Sequence, residues 1–227
     1  MASSQQPSSG TTGFLSLPQD LRRHIYKNVL VVQHPLFLFK ERESQLEAFA
    51  PEKPRKWLAL FYTNRQIYSE ARAVLYESNR FTFVDTTPHQ LSLIQSFIGS
   101  IGSINTNHLS HLCINFPVVE RMLNTDEVVL REDSQTSLTL LRENCVNLKT
   151  LEAQVHGENF DNLIQPKHCD AQLLQKGLRQ INTQVRAIRS LEIFIVRIYS
   201  GVPSSATIES MQEFGWIVFR GDRDHRG

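Results

Sequence analysis

Apolar residues fall at every fourth position from Leu17 through Leu21 and Ile25 to Val29, and this spacing predicts a helix with an apolar face. Pro18 stands at its opening, where a missing N–H costs nothing and a fixed φ suits the first turn. Tyr26 and Leu30 fall on the opposite side, among Arg22, Arg23 and Lys27, so the helix is apolar on two sides. Either it lies sandwiched inside its own domain, or one face packs inward and the other meets a partner.

From Val31 to Pro54 the pattern breaks up. The run Val31–Phe39 is followed by Lys40-Glu41-Arg42-Glu43 and a proline-flanked stretch, which reads as a hairpin or irregular loop. Helical periodicity returns at Trp57. Trp57, Leu60, Phe61, Asn64, Ile67, Tyr68, Ala71, Val74 and Leu75 share an arc of about 140° on a 3.6-residue wheel. Gln66, Ser69, Glu70, Ala73 and Glu77 take the other side. The phase holds across Thr63-Asn64, predicting one helix or two nearly collinear ones, ended by Ser78-Asn79 before a strand at Phe81-Thr82-Phe83.

Beyond residue 85 an apolar-x-x-Leu-x-apolar pattern occurs three times, at Leu109–Ile114, Leu148–Ala153 and Ile188–Ile193. From Leu112 to Leu151 and from Leu151 to Leu191 the intervals are 39 and 40 residues. Helix-like segments precede each: 88–101, 134–144 and 171–185. Strand after helix at a constant period predicts repeating α/β units that bury one another's faces. The core pattern is that of a leucine-rich repeat, with a longer period and without the closing Asn. The expected fold class is α/β, with α+β as the alternative: N-terminal helices, then helix–strand units forming a mostly parallel sheet with helices on one face. Trp216–Phe219 is expected to add an edge strand.

Composition narrows the function classes. With 41% hydrophobic and 21% charged residues, the 227-residue chain reads as a soluble globular protein. Lys+Arg number 24 against 23 Asp+Glu, and the +1 balance shows no basic stripe of the kind that binds nucleic acid. Arg22-Arg23-His24, the densest basic cluster, reads as a solvated helix face. Cys113, Cys145 and Cys169 are odd in number and without paired spacing, as expected of reduced thiols in a cytoplasmic or nuclear protein. Residues 1–13 have neither a basic start nor an apolar core, and predict a disordered tail rather than a signal peptide. No apolar run approaches the roughly 20 residues of a membrane span.

Candidate chemistry is sparse. His108-x-x-His111-x-Cys113 offers imidazole and thiol groups, but no second pair follows to complete a zinc site, so it reads as a surface loop entering a core strand. His168-Cys169-Asp170 places a thiol beside an imidazole in sequence, whereas Cys/His nucleophiles are assembled from separate segments. No nucleophile elbow, phosphate loop or His-Glu-x-x-His motif is present. The Arg220-Gly221-Asp222 triplet has low specificity. No cofactor and no catalytic residue are expected.

Two stretches carry a resemblance. Phe14-Leu-Ser-Leu-Pro18 with Ile25-Tyr26, and Arg65-Gln-Ile-Tyr-Ser-Glu-Ala71 with Leu75-Tyr-Glu-Ser-Asn-Arg-Phe-Thr-Phe83, resemble the F-box-like proteins of filamentous fungi. The resemblance covers residues 14–83 and, more loosely, 91–117. It implies a protein-binding module without a reaction. Leu17, Pro18, Leu21, Ile25 and Tyr26 match the opening of that module, which docks on a Skp1-type adaptor of a cullin ubiquitin ligase while a C-terminal domain holds a protein substrate. Thr63-Asn64-Arg65 stands where the second helix of an F-box carries Cys-Arg. The chain departs from the compact F-box in having 45 residues between Pro18 and Asn64. The organisation expected is a tail (1–13), an F-box-like helical module (14–83) with an insertion (31–55), a repeating α/β domain (84–219) and a polar tail (220–227).

A second reading is a stand-alone α/β scaffold in which residues 14–83 cap the repeating sheet and keep its end from water. Exposure separates the two. An adaptor leaves an apolar patch near Leu17–Tyr26, whereas a cap buries both faces of that helix.

Overall fold

In the computed structural model, which describes residues 13–41, 44–51, 53, 56–85, 87–122, 127–156, 171–200 and 203–221, the apolar strand segments lie side by side in one sheet. After a 3-10 turn at Phe14–Ser16 comes α1 (Gln19–Leu30), with Pro18 just ahead of the first helical residue. Strands β1 (Leu36–Phe39) and β2 (Glu47–Phe49) pair antiparallel, making the apolar part of the insertion a hairpin.

The Trp57–Tyr76 stripe splits where its phase runs on. Trp57–Tyr62 is a 3-10 helix, Asn64 is extended, and α2 spans Arg65–Ser78. The Asn64 side chain accepts from the Gln66 N–H at 2.7 Å, the N-cap contact that lets a new helix start there. Ile67, Ala71, Val74 and Leu75 are buried as the wheel predicts, whereas Asn64 and Tyr68 are exposed. Burying each large side chain of such a stripe contributes about 1.5–3 kcal/mol.

Strand β3 (Arg80–Phe83) follows, then α3 (Thr87–Thr106), broken at Gly102 by φ of 73°, then β4 (His111–Asn115). A small antiparallel pair, β5 (Val119–Arg121) and β6 (Val128–Leu130), comes next and was not legible in the sequence. The remaining elements are α4 (Glu132–Asn144), β7 (Thr150–Val155), α5 (Ala171–Arg186), β8 (Ile193–Ile198), α6 (Ser205–Glu213) and β9 (Ile217–Arg220).

The main sheet has the order β2-β1-β3-β4-β7-β8-β9, parallel throughout except for β2 at one edge. Strand order follows chain order from β1 onward, and crossovers between parallel strands are right-handed. Each connecting helix is thereby delivered to the same face, and successive helices from α1 to α6 pack on one another in a single layer. Phe81, Leu112, Leu151 and Phe194 stand abreast under that layer, with Ile114, Ala153 and Val196 in the next row. The fold is mixed α/β with a mostly parallel sheet, as the repeats predict.

The third repeat needs a correction. Leu112 pairs with Leu151 and Ile114 with Ala153, but Leu151 pairs with Phe194, not Leu191. Leu191 precedes its strand, and Ile193 points to the solvent face opposite Thr150. Three extra residues lie between the buried lead residue Ile188 and β8, and an odd shift exchanges the two faces of a strand.

The expected tails lie outside the described residues apart from Gly13, Arg220 and Gly221. The triplet His168-Cys169-Asp170 and Asp222 also lie outside them.

Candidate functional site

The first helix is fixed by a polar lock spanning two distant parts of the chain. Arg22 reaches across to Glu70 of α2 in a two-pronged ion pair, Nη2 to Oε1 at 2.6 Å and Nε to Oε2 at 2.8 Å. Its remaining Nη1 donates to the Leu17 carbonyl at 2.5 Å, holding the chain just before the helix. Tyr26 donates its hydroxyl to Glu70 at 2.9 Å, and Gln66 adds an amide donor at 3.0 Å. Fixed-fork pairing of this kind gives orientation as well as attraction. The hydrogen bond from Arg22, with those from Gln66 and Tyr26, holds the Glu70 carboxyl down at about 2. Burial, helped by the nearby carboxylate, pushes the Tyr26 phenol up to about 12.

At the far end of α1 the Asn79 side chain takes over. Its amide donates to the Leu30 and Leu75 carbonyls at 3.1 and 2.9 Å, and its oxygen accepts from the Val32 N–H at 2.9 Å. Glu70, Tyr26 and Asn79 are all letters of the pattern quoted above, and each of them is a clamp between the two helices. Phe14 closes the same corner with an edge-on contact to Tyr26 at 5.6 Å between ring centres.

This lock decides which of the two apolar sides of α1 faces inward. Arg22, Tyr26 and Leu30 form the buried side, and Tyr26 is only 1% exposed. The four-residue series instead faces outward, with Leu21 at 54%, Ile25 at 38% and Val29 at 40% exposure. Pro18 is exposed and continues this line, while Leu17 is half-buried. Four of the five sequence-predicted contact residues therefore lie at or near one surface, and Tyr26 is removed to the interior. Val29 was missed as a surface residue, although the same spacing includes it. Of the insertion's described residues, β1 enters the main sheet beside β3, and Lys53 donates to the Val29 carbonyl at 2.8 Å at the stripe's end.

On the other side of α1, a cleft shared with α2 is lined by Gln19, Arg23, Ser69, Glu70, Ala73 and His108. His108 thus belongs to the helix layer, whereas His111 and Cys113 project from β4 on the opposite face of the sheet. The residues drawn together as a metal motif are not brought together. Among the described residues no group of three or more His, Cys, Asp or Glu side chains could hold a metal ion. Cys113 and Cys145 are buried free thiols, both pushed upward by burial, Cys145 to about 12.

The sheet face opposite the described helices carries a second polar group that sequence patterning did not single out. Glu152 of β7 accepts from Arg197 Nε of β8 at 2.8 Å, and Arg80 Nη1 of β3 stands 3.6 Å from its other oxygen. Strand alternation was the available signal, since His111-x-Cys113-x-Asn115 and Thr150-x-Glu152-x-Gln154 place polar residues on alternate positions.

No family model, no curated protein and no solved structure matches this chain. No helix among the described residues is long and apolar enough to cross a membrane.

Proposed function

We propose that this chain is a non-catalytic protein-interaction module, and that the outward stripe of α1 seats in the apolar groove of a Skp1-type adaptor of a cullin ubiquitin ligase. In this reading Leu21, Ile25 and Val29 are the anchors, Pro18 and Leu17 set the start of the stripe, and the sheet-bearing remainder presents a protein substrate. The compartment is then cytoplasmic or nuclear. The observation that supports the reading is the exposure of Leu21, Ile25 and Val29 on a helix whose opposite side is locked to α2. Apolar residues repeating along an exposed helix face are the usual anchors of helix-in-groove recognition. A cap would bury both sides of this helix, whereas its buried residues are Arg22, Tyr26 and Leu30 on one side.

The test is co-purification of the full chain with a purified Skp1-type adaptor, comparing wild type with Leu21→Asp combined with Ile25→Asp. Both positions are at the surface, so the variant should melt like wild type while losing the adaptor, because a charge in an apolar groove costs several kcal/mol unless paired. Tyr26→Asp is unsuitable, since it breaks the lock with Glu70. Wild-type protein that recovers no adaptor where a conventional F-box protein does would remove the ligase reading and favour the scaffold.

A further inference from the structure

Helix α2 sorts its charges onto different flanks. Glu70 and Glu77 lie toward α1, where Arg22 and Arg23 neutralise them. Arg65 and Arg72 stand two turns apart on another side of the helix, with Tyr68 between them. Among the described residues neither guanidinium makes a hydrogen bond or an ion pair. Arg65 is exposed, and Tyr68 is 40% exposed. Arg72 is half-buried, with its guanidinium over the Tyr68 ring at 5.1 Å from the centre. Its Nε is closed off without an acceptor, while both Nη groups stay open to solvent.

The surroundings account for the missing partner. Tyr76, one turn beyond Arg72, stacks on Phe81, which meets Phe97 of α3, so this flank borders α3. From Thr87 to Thr106 α3 contains no Asp or Glu. The acids of α2 itself are taken by α1. Two positive charges are therefore left on one helix flank with no carboxylate in return. Tyr68 is held in place between them by Arg72 and by an edge-on contact with Phe61 at 5.9 Å.

We propose that Arg65, Tyr68 and Arg72 receive an acidic segment of a partner polypeptide, with the arginines on its carboxylates and its chain against the Tyr68 ring. Charge complementarity fixes the class of partner. Guanidinium geometry matches a planar carboxylate through two parallel N–H donors, and the open Nη edge of Arg72 offers such a pair. Tyr and Arg are also the residue types that most often carry binding energy at protein interfaces. Because Arg72 already rests on Tyr68, little freedom is lost when it is engaged. Seven helical residues set the two arginines about 10 Å apart along the axis, so one chain can engage both. Small-molecule sites enclose their ligand, whereas this flank is open. Nucleic-acid binding needs several cations in line to neutralise successive phosphates, and two do not supply them. The outward stripe of α1 takes no part here, so the proposal stands or falls independently of adaptor docking.

The test titrates the labelled full chain at low salt with acetyl-(Glu-Ala-Ala)4-amide, read through the Arg65 and Arg72 Nε–H and Tyr68 ring resonances. Saturable shifts are expected with this peptide and none with its glutamine counterpart, and added salt should weaken them. Arg72→Gln should lower affinity about ten-fold or more and Arg65→Gln about three-fold, as loss of charge-assisted contacts implies. Arg179→Gln, at an exposed position of α5, should leave binding unchanged, as should Leu21→Asp combined with Ile25→Asp. If Arg72→Gln melts early, Arg65→Gln alone decides. Absence of saturable shifts, equal shifts with the glutamine peptide, or binding unaltered in the folded variants would overturn the proposal. A twelve-residue oligothymidylate that bound more tightly through the same resonances would also overturn it, by assigning the flank to nucleic acid.

Discussion

Glu70 does more than any other single residue to decide which side of α1 faces out. It gathers Arg22, Tyr26 and Gln66, and its carboxyl is held at about 2, below the ordinary value of 4.5. A lowered carboxyl contributes stability in full above its unfolded value, and that stability is lost as pH falls from about 4.5 toward 2. Denaturation midpoints of wild type should therefore drop across that window, and Glu70→Gln should be less stable at neutral pH with a flatter acid profile. An unchanged neutral midpoint and an identical acid slope would show that the lock contributes nothing to the fold. The reversal of Tyr26 has the same origin. A helical wheel scores Arg22 as wet, because the partner that permits its burial lies 48 residues away in sequence. Leu21, Ile25 and Val29 look like a core face for the complementary reason, since periodicity reveals an apolar stripe without saying what covers it.

At the scale of elements, local patterning fixed the strands and left their register open. The pair β4–β7 is as expected because Leu112 and Leu151 follow their lead residues Leu109 and Leu148 at the same distance. In β8 the lead residue Ile188 is buried, but the strand begins later and the inward positions become Phe194, Val196 and Ile198. Phe194 packs edge-on against Trp216 at 5.0 Å. Phe194→Ala should therefore cost about 3–5 kcal/mol, the range for emptying a buried aromatic site. Ile193→Ala, on the solvent face, should cost less than about 1 kcal/mol. Chemical denaturation of the two variants distinguishes the registers, because the alignment of Leu191 with Leu151 would place Ile193 inward and reverse their order. The β5–β6 pair and α6 went unread for a simpler reason: their short segments carry too few residues for either period to show.

The described helices all lie on one side of the main sheet, and its two faces are stabilised by different physics. Under the helices, rows of apolar side chains run across the strands. On the opposite face, Glu152 and Arg197 are 1% and 3% exposed, so two charges are buried on adjacent central strands. The progression β3-β4-β7-β8-β9 was legible because each of these strands was announced by its own apolar pattern. The joining of β1 to β3 was not, because that pairing brings the insertion back across all of α2. The charged contacts were equally hidden, since sequence shows Glu152 as one acidic residue in an apolar strand and cannot name its partner on β8. Burying an ion pair contributes little net stability, yet removing one partner strands the other charge and typically costs about 3–5 kcal/mol. Glu152→Leu and Arg197→Leu should each reach that range, while the double variant should lose far less than their sum, with a coupling of roughly 1–3 kcal/mol. Additive losses in a double-mutant cycle would mean that the two side chains act independently, and that this face is held by packing alone.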